Sequence, residues 1–118
     1  MTESGAASPG FTTEVKYFPE RVAVVVCHGR LVAGAADVLS AAVRALIPES
    51  KRIVLDLADV QHTDSLGLGT LVRLYVAARS AGCSLELMHL SKQIRHLLGL
   101  TNLFEVFTVI GEHGVKFM

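Results

Sequence analysis

Net charge is missing from this sequence: eleven lysines and arginines stand against eleven aspartates and glutamates in 118 residues. Without a net field to hold a polyanion, nucleic acid and anionic membrane are poor candidates for the main partner, and a protein or a small molecule is expected instead. Aromatic residues are scarce at 6%, although hydrophobic residues as a whole reach 51%. The core must then be built from Val, Leu, Ile and Ala, the composition of a well-covered α/β domain. Cysteine is limited to Cys27 and Cys83. Their separation excludes the close spacing of a zinc or redox motif, and their apolar surroundings predict two buried, reduced thiols. The most membrane-like segment, LVAGAADVLSAAVRALIP, is interrupted by Asp37 and Arg44, each costing roughly 2.5–3.5 kcal/mol near a bilayer centre. It reads as an ordinary helix, and no membrane insertion is expected. The first residues, MTESGAASPG, lack the basic start and apolar stretch of a signal peptide, so the expected location is the cytoplasm.

A chain of this length makes one domain, so one fold carries the function. Residues 1–11 are small and polar and are expected to be a flexible tail, leaving 12–118 as the domain. TTEVKYF and VAVVVC, separated by Pro19, Glu20 and Arg21, read as a β-hairpin. Val22 to Cys27 lacks alternation, which predicts a strand covered on both faces. Leu39, Ala42, Val43 and Leu46 form the single apolar stripe of a helix ending before Pro48. RIVLDL is the next strand, followed by a helix with Leu68, Leu71, Val72, Tyr75 and Ala78 inward and Gly82 as its stop. SLELM, then SKQIRHLLG with Ser91 as N-cap and Gly99 as its end, then a strand in FEVFTVI complete the order. One hairpin followed by crossovers predicts a mixed β-sheet with helices packed against it, a single α/β domain.

Between the RIVLDL strand and its helix lies TDSLGLG, residues 63–69. Gly67 and Gly69 invite a dinucleotide-binding reading, but the third glycine position is Val72 and the first glycine comes too late for the tight turn. No phosphate-binding loop signature occurs elsewhere, and no cofactor is expected. Ser65 is not set in a nucleophile elbow, and His62, the only nearby histidine, has no recognisable orienting partner. His89 and His96 are not at metal-binding spacing. The chain is therefore expected to be neither a hydrolase nor a metalloenzyme, and no catalytic residue is assigned. Asp64 or Ser65 suits a helix cap, worth roughly 0.5–2 kcal/mol over alanine. Capping leaves the glycines unexplained, since each is worse than alanine inside a helix by roughly 1 kcal/mol. Something must approach the backbone there, either a strand of the same domain or a docking partner.

VLDLADVQHTDSLGLGTLV resembles the central signature of the STAS family, a hydrophobic strand followed by D-S-[ST]-G-L-[GA]. VVCHGRLVAG and IRHLLGLTNLFEVFTV are similar to the elements that flank it in that family. The resemblance implies a STAS-type fold and the role of an anti-sigma factor antagonist, whose motif serine, here Ser65, is phosphorylated by an anti-sigma factor that is itself a serine kinase. The unphosphorylated form captures that factor, and a phosphatase resets the cycle. By the same resemblance Asp64, Ser65, Leu66, Gly67 and Gly69 form the partner-binding site. Leu66 stands where a second hydroxyl residue is usual, and Val32 where many phosphorylated members have aspartate. A STAS subunit of a lipid or solute transporter, or of a signalling scaffold, is the alternative.

Overall fold

The computed structural model describes residues 2–8, 10–103 and 106–110, the segments 2–8 and 108–110 by their backbone. Six strands form one sheet in sequential order: β1 (Thr2–Ser8), β2 (Phe11–Phe18), β3 (Val22–Leu31), β4 (Arg52–Thr63), β5 (Ser84–Met88) and β6 (Thr108–Ile110). The first three are antiparallel and the last four parallel, so β3 belongs to both halves. Three helices make the parallel crossovers: α1 (Ala33–Leu46), α2 (Ser65–Ser80) and α3 (Lys92–Leu100). Because every crossover steps to the next strand in the same direction, its fixed handedness places all three helices on one face.

Burial follows that arrangement. Ala23, Val25 and Cys27 of β3, Ile53, Leu55 and Leu57 of β4, and Leu85 and Leu87 of β5 point into one core with Leu39, Val43, Leu71, Leu74, Ile94 and Leu98 of the helices. The alternate residues Val24 and Val54 form a separate small cluster on the other face, with Val26 and Met88 beside them. The expected double coverage of Val22 to Cys27 is thus met in part: the helix side is sealed, whereas Val22 and Val26 are half-buried. Tyr75 stacks edge-on against Phe107 with ring centroids 5.5 Å apart, tying α2 to the chain that follows α3.

The hairpin occurs where the sequence places it. Phe18 pairs with Val22, and Glu20 and Arg21 take left-handed φ values of 66° and 63°. The Arg21 carbonyl accepts the Lys51 N–H at 2.8 Å, so the turn also holds the start of β4.

Residues 2–8, 10 and 11 depart from the expected tail. Thr2–Ser8 forms an edge strand antiparallel to β2, and Phe11 is a core residue only 1% exposed. An edge strand is joined by backbone hydrogen bonds and needs no apolar face, which is why a reading based on apolar content overlooked it. Gly10, at φ +79°, turns the chain into β2, and its carbonyl accepts the Arg30 N–H at 3.0 Å. A side chain at Gly29 would run into that Gly10 carbonyl.

Helix ends correct two further details. α2 stops as expected, with Gly82 at φ +76° just past it. α3 continues through Gly99 to Leu100, because Asn102 at φ +60°, not the glycine, takes the left-handed turn. Of the expected last strand, Thr108–Ile110 is strand while Val106 and Phe107 precede it; Phe104 and Glu105, included in that expectation, and residues 111–118 of the expected domain lie outside the described residues.

Candidate functional site

β3 and β4 end side by side, with Leu31 paired to Thr63, so the N-termini of α1 and α2 emerge next to one another at the same sheet edge. The two helix starts differ. Val32 is the N-cap of α1 and supplies no side-chain bond. Asp64, the N-cap of α2, accepts the Gly67 N–H on its Oδ1 at 2.8 Å, and its carbonyl accepts the Leu68 N–H at 3.0 Å. Of the two capping candidates, then, the carboxylate holds the helix and leaves Ser65 uncommitted.

Ser65 is the first residue of α2 and is exposed, and its hydroxyl makes no side-chain hydrogen bond among the described residues. Leu66 beside it is 55% exposed, an apolar side chain held out at the helix start. Further N–H groups of the first turn lack intrahelical acceptors, and no acidic residue lies within that turn beyond the cap. The corner can hold an anion on an added group, next to the fixed charge of Asp64.

The two glycines separate. A Cβ at Gly67 would collide with the Leu31 carbonyl oxygen and with Thr63 Oγ1, both inside the domain. Gly67 is buried. Its expected service to a docking partner gives way to internal packing: the end of β3 closes on the first turn of α2. Gly69 is half-buried, and a Cβ there would meet only the Arg73 guanidinium, at 3.3 Å. Gly69 therefore remains on the accessible side of the helix, with Ser65 and Leu66.

Thr63, Gln93 and His62 complete the corner; the sequence offered His62 only as a poorly supported base and Thr63 only as the start of the motif, and it did not single out Gln93. Thr63 is buried; its hydroxyl donates to the Leu31 carbonyl at 2.7 Å and its N–H to Gln93 Oε1 at 3.0 Å. Gln93 Nε2 lies 3.2 Å from His62 Nδ1. A glutamine early in a helix gives no chemical signal by itself, and only the fold brings it to the end of β4.

The remaining chemistry-bearing groups lie elsewhere. His28 bridges Glu14 and Asp59, and His89 reaches Asp56 at 2.9 Å, so neither serves Ser65 as a base. Among the described residues no group of His, Cys, Asp and Glu is placed to hold a metal ion, and no helix is long and apolar enough to cross a membrane. Cys27 and Cys83 are buried and unpaired with one another, as expected. Burial, helped by the charge of Asp56, pushes the Cys27 thiol up to about 12, and burial also raises Cys83.

A mixed sheet with helices on one face and an Asp-Ser pair opening the helix after its central strand defines a STAS-type domain. The family description "STAS domain" matches residues 15–114, and the chain belongs to that family. It is 33% identical over 92 residues to the anti-sigma-B factor antagonist of Bacillus subtilis (strain 168), covering 72% of this chain and 84% of that protein. Among solved structures it is similar to an anti-sigma factor antagonist from Mycobacterium paratuberculosis, with TM-score 0.77, 24% identity and 92% of each chain covered. The Bacillus cell fate determinant SpoIIAA in its phosphorylated form shares the fold at TM-score 0.68 and 16% identity, over 86% of this chain and 93% of that one.

Proposed function

We propose that this protein is an anti-sigma factor antagonist that docks on an anti-sigma factor through the start of α2 and is released when that factor, a serine kinase, phosphorylates Ser65. The observation that carries the reading is the division of labour at the helix start: Asp64 caps, so the Ser65 hydroxyl is exposed and uncommitted. The relative named as an anti-sigma-B factor antagonist supports the same role. Leu66 and Gly69 flank the hydroxyl on the accessible side, giving an apolar contact and a low-profile step. A phosphate adds a charge of about −1.5 to −2 to a surface fitted to a neutral hydroxyl, and a partner then meets both repulsion and desolvation. A phosphatase acting on phospho-Ser65 would reset the switch. No catalysis by this chain, no cofactor and no direct nucleic acid contact enters the reading.

The test is to capture the partner with the purified protein, add ATP, and map added mass. One phosphate at Ser65, tight binding by Ser65→Ala and weak binding by Ser65→Asp are expected. Stable assembly with membrane transport subunits and no phosphate on Ser65 would instead support the transporter-subunit role.

A further inference from the structure

The corner that presents Ser65 hangs from a strand end that has β3 on one side and no strand on the other. β4 pairs with β5 only from Arg52↔Ser84 to Asp56↔Met88, after which the chain leaves the sheet through His89 at φ +61°. Thr63, seven residues beyond Asp56, is nonetheless only 3% exposed. A buried backbone N–H needs an acceptor. Gln93 Oε1 supplies it at 3.0 Å, so a side chain of α3 stands in for the missing strand.

Gln93 is itself firmly placed. Ser91 caps α3 by accepting the Ile94 N–H at 3.2 Å, and Ile94 and Leu98 of the same helix are fully buried. The orientation of the carboxamide follows from donor and acceptor types. A backbone N–H can only donate, so the amide atom facing Thr63 is the oxygen; the NH2 group is then turned to His62 and can only donate in return. His62 Nδ1, 3.2 Å away, must accept, which places the ring proton on Nε2. On its other side Thr63 donates to the Leu31 carbonyl, the same carbonyl that closes over Gly67. Gly67 in turn donates to the Asp64 cap. An unbroken set of contacts runs from α3 to the first turn of α2.

We propose that Gln93 is a positioning residue for Ser65: through its carboxamide, α3 fixes the end of β4 from which the serine hydroxyl is presented. This rests on reading Ser65 as the phosphorylated, partner-facing residue. Gln93→Met keeps volume and helix propensity but removes both hydrogen bonds, whereas Gln93→Glu keeps the acceptor for Thr63 and removes the donor to His62. In Gln93→Met the Thr63 amide is expected to exchange with solvent about tenfold faster than in the wild type, with slow exchange regained in Gln93→Glu. In the wild type, nitrogen-15 spectra should show His62 Nδ1 as the accepting nitrogen, and Gln93→Glu, which turns an acceptor toward it, should shift the ring toward the Nδ1–H tautomer. With the captured kinase and ATP, kcat at Ser65 should fall about tenfold in Gln93→Met, KM should stay within about twofold, and Gln93→Glu should recover most of the rate.

Wild-type Thr63 exchange in Gln93→Met overturns the proposal, as does unchanged kcat where the wild type is phosphorylated at Ser65. If the wild type takes no phosphate there, the functional reading fails alone, and the exchange of Thr63 and Gly67 still decides whether Gln93 holds the corner. Should Gln93→Met fail to fold, Gln93→Glu decides: retained Thr63 protection with an altered His62 supports the role, and lost protection overturns it.

Discussion

A methyl group added at residue 67 and one added at residue 69 should have opposite effects, although both glycines lie in the first turns of one helix. At Gly67 the obstacles are a backbone carbonyl from β3 and a hydroxyl already bonded to that carbonyl, neither free to move away. Gly67→Ala is therefore expected to destabilise by about 1–3 kcal/mol, the usual range for overpacking. At Gly69 only the end of the Arg73 side chain must shift, and Gly69→Ala should gain up to about 1 kcal/mol in helix propensity. Thermal melts of both variants beside partner titrations check this. Equal melting temperatures would remove the packing account of Gly67, and unchanged partner affinity in Gly69→Leu would remove the access account of Gly69. The sequence alone showed that the helix had no use for either glycine. It could not separate them, because the obstacle at Gly67 is the Leu31 carbonyl, which spacing along the chain does not place. For the same reason Asp64 was legible as a cap from its position before an apolar stripe, while Thr63 and Gln93 were not legible at all.

Three strands meet at one imidazole on the opposite side of β3. His28 Nδ1 lies 2.8 Å from Asp59 Oδ2 on β4, and its Nε2 lies 3.2 Å from Glu14 Oε1 on β2. An ionised carboxylate only accepts, so both contacts are satisfied together by the doubly protonated ring. The hydrogen bond that His28 donates to Asp59 is the largest influence raising its pKa above 6.5; desolvation opposes it, and the bond to Glu14 and both carboxylate charges add to the rise. Because the folded value is the raised one, this contribution to stability is fully present below pH 6.5 and is lost as pH climbs through the folded pKa. The groups are largely solvated, so the effect is small and is best read as a difference. Denaturant midpoints of wild type and Asp59→Asn should converge as pH rises, and the His28 ring should titrate above 6.5 in the wild type and lower in the variant. A wild-type titration at or below 6.5 would show the clamp to be absent. Elements of this kind divide by how they are held. The hairpin and the three strand–helix units were legible because their apolar periodicities point to one core. β1 was not, since an edge strand is recruited through its backbone, and the end of α3 moved because Asn102 can adopt the conformation assigned to Gly99.

At the scale of the whole molecule, zero net charge conceals an uneven distribution. α2 contributes Arg73 and Arg79, α3 contributes Lys92 and Arg95, and neither helix holds an acidic residue. A phosphate on Ser65 would thus sit at the N-terminus of a helix that holds no acidic residue, with the like charge of Asp64 next to it in sequence. Helix-end stabilisation of an anion, about 0.3–1 kcal/mol, and repulsion from Asp64 are of comparable size and opposite sign. The fold itself should consequently be almost indifferent to the modification, all the more because the Ser65 hydroxyl holds nothing together. In the proposed docking mode a bound partner would lack that indifference, because the surface it presents to a neutral hydroxyl would have to accommodate a dianion with water excluded. Phosphorylated protein is expected to melt within about 5 °C of the unmodified form, equivalent to about 1 kcal/mol for a domain of this size. Its affinity for the anti-sigma factor should fall by at least about tenfold, or about 1.4 kcal/mol. Ser65→Ala should match the unmodified protein in both measurements. Calorimetry of the purified phosphorylated protein, paired with a binding titration, separates release at the interface from release by unfolding; a melting temperature lowered far beyond that range would show that the phosphate acts by undoing the corner built around Thr63, Asp64 and Gly67.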